Sequence, residues 1–89
     1  MGNTWEKDPG ALLDYTVDWE LWLSSDTIAT SSWSADTGIT VVTSTNDTTS
    51  ATVWLSGGTA GTVYDVVNRI VTAGGRTDDR TITIIVTSK

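Results

Sequence analysis

The chain has no cysteine and no histidine, and each absence removes a class of chemistry. Without cysteine there are no disulfide staples, and without either residue there are no Cys/His zinc sites. The commonest general base and the thiol nucleophile are gone as well. Cations are scarce: 5 Lys and Arg stand against 11 Asp and Glu, for a net charge of −6 and a pI of about 4.1. Such a chain lacks the basic footprint of a nucleic-acid binder and is ill suited to an anionic membrane surface. Long apolar runs are absent. No segment approaches the ~20 residues of a membrane span, and the start, MGNTWEKDPG, has no signal-peptide apolar region. Gly2 matches the opening of a myristoylation pattern, but Glu6 stands where that pattern has Ser or Thr.

What is present points to strands. Thr and Ser supply 27 of the 89 residues and Val plus Ile another 15, while Leu, Ala and Lys are few, so β structure is favoured over helix. The length suits one domain with a thin core. With no staples, packing must hold it, and the five tryptophans are the natural anchors.

Residues 1–10 read as an N-terminal arm with a turn at Asp8-Pro9-Gly10, and residues 11–89 as the domain. Leu13, Tyr15, Val17 and Trp19 alternate with polar residues, which predicts a strand with one buried face. Trp19, Trp22 and Leu23 then follow i, i+3, i+4 spacing, which predicts a single helical turn near 19–23, with Asp18 as its cap. Strands are expected at 27–35, 39–45, 50–56, 62–72 and 80–87. Ile28 and Trp33 have odd spacing and share a face only across a bulge. Ile39, Val41 and Thr43 are expected on one face of their strand. Asn46-Asp47 signals a hairpin turn. The rhythm predicts an all-β, immunoglobulin-like antiparallel β-sandwich of about seven strands.

Two features sharpen this. Tyr64 follows the glycine-rich corner Gly57–Gly61 and suits a tyrosine corner, in which the hydroxyl bonds back to upstream backbone. Trp33 is a candidate for the core tryptophan of such domains, although element order does not decide between the tryptophans. In the last hairpin, a two-residue Gly74-Gly75 turn would set Arg69 against Arg80 and split the apolar faces. A one-residue shift reunites Tyr64, Val66 and Ile70 with Ile82, Ile84 and Val86, so an odd-numbered loop over roughly 73–79 is expected.

Catalysis has little to work with: the adjacent Asp78 and Asp79 are better read as solvated or capping groups, and no catalytic residue is assigned. Asp14, Asp18, Asp26, Asp36, Asn46, Asp47, Asp78 and Asp79 could meet at sandwich ends, but they lack EF-hand spacing, and no metal or cofactor is assigned. Arg69, Arg76 and Arg80 mix with Asp65, Asp78 and Asp79. The plain reading is arginine forks that order the loop. Arg80 has core-face parity and is taken as structural, with Tyr64, Trp19, Trp22 and Trp33. Arg76 is taken as the exposed one. Val63, Val67, Val71 and Ile85 share the other face of the last hairpin; either residues 1–12 or another strand cover them, or a protein partner or self-association does. With Trp5 and Arg76 they form the candidate partner-binding set.

Several phrases carry a resemblance. Asp8-Pro9, Leu13-Asp14-Tyr15, Asp18-Trp19 and Trp22-Leu23 are followed by the run Trp54–Gly61, by Asn68-Arg69 and by Gly74-Gly75-Arg76-Thr77-Asp78-Asp79-Arg80. Together they resemble small tail-associated proteins of tailed bacteriophages and prophages, the fibre-tail adaptors. The resemblance covers nearly the whole chain. It implies a non-catalytic structural component of the virion, made in the host cytoplasm, with an Ig-like fold. Its implied partners are other tail or fibre proteins and further copies of itself. The alternative from a different class is an Ig-like adhesion module for carbohydrate or a cell-surface ligand.

Overall fold

The computed structural model describes residues 4–88. Seven strands and one helical turn follow one another: β1 (Thr4–Lys7), β2 (Leu13–Asp18), α1 (Glu20–Leu23), β3 (Ile28–Ala35), β4 (Ile39–Asn46), β5 (Ser50–Gly57), β6 (Val63–Thr72) and β7 (Thr77–Val86). They form a four-stranded sheet, β1-β7-β6-β3, and a three-stranded sheet, β2-β5-β4. This is the two-sheet arrangement expected of an Ig-like sandwich. One pairing departs from the antiparallel expectation: β1 runs parallel to β7. Residues 4–7, read from the sequence as part of an arm, are therefore an edge strand of the larger sheet. Residues 1–3 of that arm lie outside the described residues.

The alternation in the sequence becomes the core. Tyr15 and Val17 of β2, Val53 and Leu55 of β5, Tyr64, Val66 and Ile70 of β6, and Ile82, Ile84 and Val86 of β7 are buried together. Burial of side chains of this size contributes about 1.5–3 kcal/mol each, which is how a chain without disulfides holds. α1 closes one end and places Trp19 and Leu23 over the core, as the i, i+3, i+4 spacing predicts. Asp18 accepts the Glu20 N–H at 2.9 Å, one residue before the turn's own cap position at Trp19.

Register in the last hairpin follows the core rather than the glycines. Val66 lies opposite Ile82 and Tyr64 opposite Ile84, so the two apolar sets share one face. The loop is odd-numbered but shorter than expected. Thr72 N–H bonds the Arg76 carbonyl at 2.8 Å, leaving only residues 73–75 between. Gly75 takes φ +90°, the left-handed residue of a three-residue hairpin loop. Thr77–Asp79, expected in the loop, are paired strand because Asp79 lies opposite Arg69. Bulges settle two other faces. One between Ile28 and Thr30 brings Ile28 and Trp33 to the core side of β3. Another between Val41 and Thr43 turns Thr43 away from Val41, onto the outer face with Trp54.

Candidate functional site

At one end of the sandwich, arginines and tryptophans interleave. The β6–β7 turn delivers Arg76 over the Trp22 ring, 4.3 Å from its centroid. Arg80, further along in β7, lies 4.3 Å from the Trp19 centroid. The two rings meet edge to face at 5.3 Å. Each guanidinium also reaches across to the α1 region: Arg76 Nη2 donates to the Leu23 carbonyl and Arg80 Nη1 to the Asp18 carbonyl, both at 2.8 Å. Arg80 is opposite Asn68, so its core-face parity holds. Arg76, taken as the exposed arginine that the loop presents, is tied at three points, since Asp26 also pairs with it at 3.2 Å. Much of its side chain still faces solvent.

Asp26 is the hub of this end. Its carboxylate accepts the N–H groups of Thr27 and Gly74 besides Arg76. The Thr72 hydroxyl first, then the Thr27 and Gly74 amides and Arg76, hold its pKa down to about 2. Below it, Asn68 is fully buried and satisfied on both sides. It accepts the Trp19 indole N–H at 2.9 Å and donates to Ser31 Oγ and the Ser32 carbonyl. The core parity of Asn68 was visible in the sequence, but its partners were not. Leu21 was missed altogether: it stands at the tip of α1, 97% exposed. The spacing that sends Trp19, Trp22 and Leu23 inward is itself the signal that Leu21 points out.

The opposite end carries the tyrosine corner. Tyr64 Oη accepts the Thr59 N–H at 2.9 Å, a bond back to upstream backbone as expected. The Thr59 hydroxyl first, then the Thr59 amide, lower the Tyr64 pKa.

The outer face of the larger sheet holds the rest of the candidate set. Val63 is opposite Ile85; Val67 and Val71 follow along β6 on the same side. Val63 is 56% and Val71 37% exposed, while Val67 and Ile85 are half-buried. Asp65 and Arg69 alternate with the valines, and Arg69 forks onto Asp79 at 2.8 and 3.0 Å. The face is thus a stripe of valines divided by an ion pair. β1 lies beyond β7 at the sheet edge and leaves this stripe open. Trp5 is elsewhere: aligned with core-facing Ile84, it packs on Tyr15 at 5.8 Å and closes the edge between the sheets. A shallow depression of about 300 Å³ lies beside β3, lined by Ser32, Trp33, Ser34, Val67, Arg69 and Asp79.

The described cations are all engaged within the chain. Lys7 is fully buried, and its Nζ donates to the Asp8 and Gly57 carbonyls at 2.9 and 2.8 Å. Burial lowers its pKa. The exposed surface is therefore mostly hydroxyls, carboxylates and apolar side chains, with Arg69 and Arg76 partly open to solvent although both are paired. Among the described residues, acidic groups do not converge in threes to hold a metal. Asp47, for one, caps the β4–β5 turn by accepting the N–H groups of Thr49 and Ser50.

Compared with known proteins, residues 7–85 match the family model described as Podophage GP4 fiber-tail adaptor protein gp77. A comparison with curated proteins found no match.

Proposed function

The chain belongs to the podophage GP4 fiber-tail adaptor family, and from that premise we propose that it is a small structural connector in the tail of a tailed phage or prophage. It joins fibre to tail through protein–protein contacts and carries out no catalysis. It is made in the host cell and incorporated into the particle. The observation that carries this reading is the family match over nearly the whole chain. The open valine stripe of β6 supports it, because apolar side chains left uncovered on a rigid sheet suit a protein partner. Val63, Val67, Val71 and Ile85 are the proposed contact, with Arg76, Trp5 and the exposed Leu21 as contacts at the edges and tip. The partner's matching surface is apolar with basic residues at its rim, given the −6 charge of this chain.

The family match gives the adhesion alternative no support. That alternative would use the depression beside Trp33, yet Trp33 packs against the core and is no free stacking platform.

The test is a particle assay with a Val63→Lys/Val71→Lys double variant. Both positions are exposed, so the melting temperature should stay within a few degrees of wild type. Fibre incorporation into purified particles should fall at least tenfold. Absence of the wild-type protein from purified particles would overturn the proposal.

A further inference from the structure

Four strands lie at sheet edges, and three of them are guarded. β1 is only four residues long and carries Glu6 and Lys7. β2 carries Asp14 and Asp18. β4 is bulged at mid-strand, between Val41 and Thr43. Short length, charge and bulges are the usual devices that keep an edge from pairing with another chain. β3 has none of them along most of its length. It is eight residues, has no charge and no proline, and its bulge lies at its first residues, Ile28 to Thr30.

The backbone of β3 is half used. Asp36 N–H bonds the Asp65 carbonyl, which sets the alternation along the strand. Thr30, Ser32 and Ser34 direct their amides and carbonyls to β6, and Ser31, Trp33 and Ala35 direct theirs away from the sheet.

We propose that the β3 edge docks a second copy of this chain, antiparallel, with Trp33 on the twofold axis. Charge selects the occupant. From Thr27 to Asn46 the sole charged residue is Asp36, in a chain of net charge −6. This is the side on which two like-charged copies approach with least repulsion. The sequence is also self-complementary in that register. Ser31 faces Ala35 of the second copy, Ser32 faces Ser34, Thr30 faces Asp36, and Trp33 faces its own counterpart. No like charges stand opposite, and small side chains flank Trp33 at the centre. This inference stands apart from the adaptor reading: either can fail alone.

The test uses the full chain in sedimentation velocity over a wide concentration range, beside a Ser32→Lys/Ser34→Lys variant. Both serines are exposed and off the core, and the melting temperature checks that the variant folds. Wild type should shift from the mass of one chain to that of two as concentration rises. The lysine variant should stay at one. Mixing it with Ser32→Glu/Ser34→Glu should restore the double mass. Independently of any variant, the amides of Ser31, Trp33 and Ala35 should exchange more slowly in concentrated wild type. A wild type that is monomeric throughout, a lysine variant that pairs as well as wild type, or exchange that ignores concentration would each overturn the proposal. So would a monomer that instead takes up an extended strand of another protein at β3.

Discussion

Asp26 occupies a turn, yet its carboxylate ties the start of β3 to the β6–β7 connection through Thr27, Gly74 and Arg76. Its folded pKa of about 2 lies below the ordinary 3.8. A depressed carboxylate contributes stability that is present above its unfolded value and lost as pH falls through the folded one. Asp26→Asn should therefore melt below wild type at pH 7, and the gap should close as pH approaches about 2. Thermal unfolding at the two pH values measures this; an equal gap at both would count against it. Arg76 and Arg80 teach a related point. Parity along β7 sufficed to place Arg80 on the core face. Nothing local could show that Arg76 would find Asp26 and Trp22, which lie about fifty residues away in sequence.

At the scale of elements, two glycines of positive φ separate backbone strain from crowding. Gly75 has φ +90°, and an added Cβ would meet nothing within 4 Å. Gly58 has φ +97°, and an added Cβ would come within 2.7 Å of Val86 Cγ2. Gly75→Ala should cost about 1–2 kcal/mol, the usual penalty for a side chain in left-handed backbone. Gly58→Ala should cost more, by a further ~1–3 kcal/mol of overpacking against the end of β7. At about 4–8 °C per kcal/mol, calorimetry resolves the two. Equal melting temperatures would mean that Val86 gives way freely. The same elements show how far pattern reading reaches. Alternation placed the β6 and β7 faces correctly, and like-charge repulsion ruled out the two-residue turn. It overestimated the loop, because the Arg69–Asp79 pair extends the ladder past Thr77.

For the whole molecule, β1 decides how the sandwich is closed. It covers one side of β7, sends Lys7 to the Gly57 carbonyl of the other sheet, and sets Trp5 on Tyr15. Deleting residues 1–7 should cost at least about 2 kcal/mol from lost apolar burial and uncover the edge of β7. The melting temperature should fall by roughly 8–16 °C. An unchanged value would show that β1 contributes little to closure.

By itself the sequence determined the all-β class, the strand rhythm, the shared core face of β6 and β7, the tyrosine corner and the helical turn at α1. These depend on side-chain period and on a few special residues, and both are local. Tertiary structure alone decided that β1 joins the larger sheet in parallel, that bulges turn Ile28 and Thr43, that Asn68 satisfies Trp19, and that β3 is left open. Each is a contact, or a missing contact, between segments far apart in the chain, where period carries no information and packing does.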